Sequence, residues 1–180
     1  MVVVALVLGT AAPPARAQVS LLTPSELITA VGAGDVDKVK TLLAHGSKPD
    51  TTDGYGTSAL IFAIKAGNSD LVSALLEAGA HANMTDKEGN TPLIWAADGG
   101  DPVVVRQLLA ANAKPNQENR QGLTPLMAAA RNGRIEAMEV LLKAGAAVDK
   151  SDYTGRDALA WAAESRTPAA TEVLRRYGAH

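Results

Sequence analysis

The sequence predicts an all-α repeat solenoid, in which stacked helix-turn-helix units are joined by hairpin-like fingers. Two observations carry the prediction. Glycines recur at Gly56, Gly89, Gly122 and Gly155, each 33 residues after the last. Behind each lies one short pattern: Gly-Thr-Ser-Ala-Leu-Ile-Phe-Ala, Gly-Asn-Thr-Pro-Leu-Ile-Trp-Ala, Gly-Leu-Thr-Pro-Leu-Met-Ala-Ala and Gly-Arg-Asp-Ala-Leu-Ala-Trp-Ala. Self-similarity at this period means supersecondary units that bury a continuous core by stacking. A third observation sets the character of that core. Apolar residues make up 47% of the chain but aromatics only 3%, so small side chains must fill thin layers.

The first 17 residues stand apart. Val2 to Leu8 is an apolar run, followed by Ala11-Ala12-Pro13-Pro14 and the small-x-small pattern Ala15-Arg16-Ala17. This reads as a secretory signal peptide over residues 1–17, cleaved after Ala17, although a basic n-region is missing. The run is too short to span a bilayer as a permanent helix. The protein is therefore expected in the periplasm or secreted, with no stable membrane insertion.

The array is expected over residues 18–180, with units at about 18–55 (N-terminal cap), 56–88, 89–121, 122–154 and 155–180 (C-terminal cap). In the first unit Ser25 precedes a short helix, though Thr23-Pro24-Ser25-Glu26 also reads as a capping box that would start it two residues earlier. Ser58, Thr91, Thr124 and Asp157 hold the same register in the later units. Each offers an oxygen to the free N–H groups of a first helical turn. Pro92 and Pro125 follow at the first helical position, where a missing N–H costs little.

The short helices run about two turns, to Gly34, Gly67, Gly100 and Gly133. Second helices follow, with apolar residues at helical spacing: Val36, Val39, Leu42 and Leu43; Leu71, Val72, Leu75 and Leu76; Val104, Val105, Leu108 and Leu109; Ile135, Met138, Leu141 and Leu142. Gly46, Gly79 and Gly145 end them, with Asn112 in the third unit as the next most tolerant residue for a left-handed cap. Between units, Asp50 to Gly56, Asn83 to Gly89, Asn116 to Gly122 and Asp149 to Gly155 are polar and turn-rich, which predicts the fingers.

Helix-turn-helix plus finger at this period, with Thr-Pro-Leu-x-x-Ala, glycine between the helices and Leu-Leu in the second helix, resembles the ankyrin repeat. The resemblance runs from about Thr23 to His180. It implies a non-catalytic, monomeric module that binds proteins on a concave face formed by the fingers and short helices. The family usually places His after Thr-Pro-Leu; here that position holds Ile61, Ile94, Met127 and Ala160, so apolar packing is expected in place of a hydrogen-bond network. Arg166 stands where the turn glycine is expected, and Arg175 where the second leucine is. A polar outer face suits a terminal unit, since nothing stacks beyond it. Lys38, Lys40 and Asp37 suit the opposite cap.

The candidate protein-binding residues are read from the positions that would line such a face. Tyr55 and Tyr153 at finger tips are candidate anchors, because tyrosine is favoured in binding hot spots; each could equally pack on its neighbour. Lys87, Glu88, Arg120 and Gln121 occupy the other tips. Phe62, Trp95 and Trp161 share one repeat position, either as an aromatic ladder in the groove or as packing between units, with packing favoured. Lys65, Asp98, Arg131 and Glu164 lie three residues on, hence on about the same helix face. Their alternating charge fits a register code for a partner or an ordinary mixed surface.

Other chemistry has little support. The net charge of −2 is interspersed, with no basic stripe to attract nucleic acid. There is no cysteine, so disulfides and thiolate metal sites are excluded. His45, His81 and His180 lack metal-ligand spacing. Asp53, Asp86 and Asp152 read as turn residues, and the glycines as turns and caps. No cofactor, metal or catalytic residue is expected. Three functions compete: a module binding a protein partner in the envelope, such as an enzyme that it stabilises or regulates; a secreted effector or toxin-linked factor acting on another cell; and, weakest, an enzyme with a site between units.

Overall fold

The computed structural model describes residues 25–180. The predicted signal peptide, its cleavage point and residues 18–24 lie outside the described residues. Ten helices form five pairs: α1 (Glu26–Gly32) with α2 (Val36–Ala44), α3 (Ala59–Lys65) with α4 (Ser69–Glu77), α5 (Pro92–Gly99) with α6 (Pro102–Ala110), α7 (Pro125–Arg131) with α8 (Ile135–Lys143), and α9 (Ala158–Glu164) with α10 (Pro168–Arg176). The odd-numbered helices stack on one another in chain order and form an inner row; the even-numbered helices form an outer row. The all-α solenoid expected from the sequence is what the chain adopts.

Each inner helix begins as its side chains dictate. The oxygens of Ser25, Ser58, Thr91, Thr124 and Asp157 accept from the N–H of Ile28, Ile61, Ile94, Met127 and Ala160. The first helix thus starts at Glu26 under a Ser25 cap, not two residues earlier. Asp35, Asn68 and Asp101 cap α2, α4 and α6 in the same way. Arg134 and Thr167, in that register, make no such bond; the Arg134 guanidinium instead donates to the carbonyl of Asp98 at 3.2 Å.

The core is one continuous seam through all five units. Leu60, Leu93 and Leu126 are buried, and so are Leu75, Leu108, Leu141 and Leu174. At the ends of the described stack, Leu159, the last-unit counterpart of Leu126, and Leu42, the first-unit counterpart of Leu75, are half-buried, while Leu27 and Leu174 are buried. Ile61, Ile94 and Met127 are buried, so apolar packing fills the position after Thr-Pro-Leu as expected. On the last unit Arg175 is exposed, and Arg166 holds the turn conformation at φ 57° that glycine holds in the other units.

Polar bonds lock one unit to the next at the finger bases. Asn83 accepts from the N–H of Lys114 at 2.8 Å and donates to the carbonyl of Asn112 at 2.9 Å. Asn116 repeats this with Ala147 and Gly145, at 2.8 and 3.0 Å. Asp50, which cannot donate, accepts from the N–H of His81 at 2.7 Å, and the His81 ring contacts its second oxygen. The residue choice follows from chemistry: a carboxamide can bond both an N–H and a C=O, whereas a carboxylate needs a second donor.

Two substitutions test these devices by urea denaturation. Asn116→Ala removes both bonds and is expected to cost about 1–2 kcal/mol while helical circular dichroism is retained. Gly145 lies at φ 84°, and a side chain there would meet nothing within 4 Å. Gly145→Val is therefore expected to cost about 1 kcal/mol or more through backbone strain alone. Unchanged melting in either variant would remove the corresponding lock or cap from this account.

Candidate protein-binding groove

The groove starts from four short turns. In each finger one Asx side chain accepts from the backbone two and four residues ahead: Asp53 from Tyr55 and Thr57, Asp86 from Glu88 and Asn90, Asn119 from Gln121 and Leu123, and Asp152 from Thr154 and Arg156. The turns predicted for the three aspartates are formed, and Asn119 completes the series. The side chain works beside the backbone, which closes each turn from the N–H of Asp53, Asp86, Asn119 and Asp152 to the carbonyl four residues ahead; isolated bridges join Thr52 to Ser58 and Ser151 to Asp157.

Neighbouring fingers then join. The N–H of Arg120 donates to the carbonyl of Glu88 at 3.2 Å, and that of Tyr153 to the carbonyl of Gln121 at 3.0 Å. This contact depends on glycine. A Cβ on Gly122 would sit 2.9 Å from the Tyr153 backbone nitrogen and 2.7 Å from its ring, closer than real side chains approach. Tyr153 is thus seated on Gly122 and still 73% exposed. Tyr55, 76% exposed, has the Lys87 ammonium 5.3 Å from its ring centre. The two tyrosines sit on the first-unit and fourth-unit fingers and do not meet.

Both tryptophans are half-buried, and each is held from two directions. The indole N–H of Trp95 donates to Asp86 at 2.8 Å, and that of Trp161 to Asp152 at 3.1 Å. The Lys65 ammonium of the preceding unit lies 4.1 Å from the Trp95 ring centre. Arg131 of the preceding unit and Arg156 of the same finger lie 5.7 and 3.6 Å from the Trp161 ring centre. Phe62, Trp95 and Trp161 are all partly buried and packed against the core, the favoured reading of this position; the two tryptophans also tie finger to inner helix, with cations over their rings.

The charged row is engaged as well. Arg131 pairs with Asp98 at 2.5 Å, and Glu164 with Arg156 at 3.3 Å. With Lys65 on Trp95, all four residues of the row contact other residues of the same chain. Exposed pairs such as these contribute little stability each, but they hold side chains in place.

The structure brings together Glu88, Trp95, Asp98, Gln121 and Arg131, which line one cleft of about 200 Å³ between the second-unit and third-unit fingers. Ile94 and Leu123 add apolar wall, and Asn90 and Asn119 polar wall. Lys65 lines a neighbouring cleft of about 170 Å³ on which Trp95 also borders. Arg120 lies outside both clefts, with its side-chain stem against Gly89. Sequence reasoning missed Arg156, which stacks closest of all on Trp161, and the amide pair Asn119–Asn90, bonded at 2.7 Å. The period itself held the signal. Lys65 and Arg131 stand 30 residues before the two tryptophans, and Asp98 stands 30 before Ala128.

Asp152 shows how tightly a finger carboxylate is held. Burial by itself would raise its pKa. Donors from the Thr154 hydroxyl, the Arg156 and Thr154 backbone N–H groups and the Trp161 indole outweigh burial, and the pKa falls below the ordinary 3.8. A carboxylate with a depressed folded pKa stabilises the fold above its unfolded pKa, and that contribution is lost as pH falls through the folded value. The melting temperature should therefore hold from neutral pH to about pH 5 and decline below the ordinary aspartate range. Asp152→Asn should lower the neutral-pH melt and flatten part of the decline, as read by Trp161 fluorescence. An identical acid profile in the variant would contradict the assignment.

Among the described residues, no group of three or more His, Cys, Asp or Glu is placed to hold a metal ion, and no helix is long and apolar enough to cross a membrane. A family model described as ankyrin repeats (3 copies) matches residues 27–119 and again residues 94–180. No curated protein matches the chain.

Proposed function

The chain belongs to the ankyrin-repeat family, and from that premise we propose that it is an exported, non-catalytic module that holds a protein partner in its groove. Members of the family bind proteins, which is the general function of such a stack. The observation that carries the finer reading is the preformed cleft between fingers, with Trp95 fixed in its wall and Tyr55 and Tyr153 exposed at the tips on either side. Rigid aromatic groups on hydrogen-bonded turns lose little freedom on binding, which is what makes such residues hot spots.

Export is proposed from the apolar run Val2 to Leu8 and the Ala15-Arg16-Ala17 pattern, with the mature chain beginning at Gln18. The absence of cysteine leaves the fold indifferent to an oxidising compartment. On this reading the module works as a monomer on a partner in the cell envelope, such as an enzyme that it stabilises or regulates.

Affinity capture from the native envelope fraction, with residues 18–180 as bait, tests the proposal. One protein should be captured by the wild type and lost from the Tyr55→Ala/Tyr153→Ala double variant, while circular dichroism and melting of that variant stay unchanged. Loss of folding in the double variant would sink the anchor assignment. Recovery of the protein in medium or in target cells, with nothing captured in the envelope, would favour a secreted effector instead.

A further inference from the structure

We infer that the cleft between the second-unit and third-unit fingers takes one cationic side chain, an arginine, from an extended segment of the partner. The inference rests on the groove-binding reading above and adds the chemistry of what enters. The volume is the first argument. About 200 Å³ is below the roughly 300–1,000 Å³ of pockets that enclose free small molecules, and suits a single side chain of a larger ligand.

The charge balance is the second argument. Two carboxylates, Glu88 and Asp98, and one guanidinium, Arg131, line the cleft. Arg131 is already held by Asp98 at 2.5 Å, and Asp98 also accepts from the Asn132 amide at 2.7 Å. The carboxylate of Glu88 forms no ion pair among the described residues, and its side chain is exposed. An incoming anion would have to displace Asp98 from Arg131 and face Glu88. An incoming cation meets an unpaired carboxylate without breaking any contact.

The wall is the third argument. Trp95 gives its N–H to Asp86 and takes the Lys65 ammonium over its ring at 4.1 Å from the side of the neighbouring cleft, so what remains for a ligand in this cleft is the ring surface away from Lys65. A planar guanidinium stacks on an aromatic face and forks onto a carboxylate, which the compact lysine ammonium does less well. Glu88 is also positioned in advance: its N–H donates to Asp86 at 3.1 Å and its carbonyl accepts from Arg120 at 3.2 Å. The preference for a cation is therefore built on a fixed backbone.

Selection from a displayed library of random linear peptides, with the full chain as bait, tests this. Wild-type protein should enrich peptides that share an arginine at one position, and alanine at that position should weaken binding about tenfold or more. Glu88→Gln should weaken the same peptides similarly without shifting the melt, and Glu88→Arg should select peptides without the basic position. Enriched peptides that lack a basic residue, bind Glu88→Gln as well as wild type, and are lost from the Tyr55→Ala/Tyr153→Ala variant would overturn the arginine and leave the groove reading standing. If no peptide is enriched, the arginine inference falls, and the groove reading falls with it for extended partners.

Discussion

No unit of this chain can bury its own apolar faces, and the stacking of inner helix on inner helix is the constraint from which the rest follows. At the ends of the described stack, Leu42 and Leu159 are half-buried where their inner counterparts are sealed, while Leu27 and Leu174 are buried. Stability in such an array is close to a sum over units and interfaces, so each interface must be specified as well as filled. Apolar packing of Ala and Leu alone would let units slide or rotate. The asparagine bonds at the finger bases supply the specification: Asn83 and Asn116 each satisfy one N–H and one C=O of the next unit.

The same logic explains the sparse aromatics. Trp95 and Trp161 tie a finger carboxylate to an inner helix, and each receives a cation from the preceding unit. Where the repeat position is Ala128, no ring awaits a cation, and the residue 30 positions earlier is Asp98, which pairs with Arg131. The plus-minus alternation along the inner helices is therefore an internal code. It matches cations to tryptophans and an acid to the cation beyond.

What the chain leaves unspent is correspondingly small and localised. Finger backbones are joined through Glu88–Arg120 and Gln121–Tyr153, and each Asx side chain holds its own turn. At the groove, two tyrosines at the tips are exposed, and Glu88 lines the tryptophan-walled cleft without an ion pair among the described residues. A rigid groove with few free groups gains its selectivity from them, because ordering cost is met in folding and not in binding.

Much of the fold was legible in the sequence because its causes are local. A serine, threonine or aspartate before an apolar run caps a helix wherever that run lies, and Asn112 tolerates a left-handed cap for reasons internal to its own side chain. The 33-residue period then multiplies one local solution five times. The groove was not legible to the same degree. Whether Trp95 faces a partner or the core depends on the 2.8 Å bond to Asp86 and on Lys65 from another unit, and the order of residues along one unit does not show how far the next one is rotated. By itself, then, the sequence determined units, caps, turns and the expectation of a binding surface. Only the tertiary structure decided which charges of the groove are paired inside the stack and that Glu88 lines the cleft without an ion pair among the described residues, because those pairings are made between units and depend on the geometry of stacking.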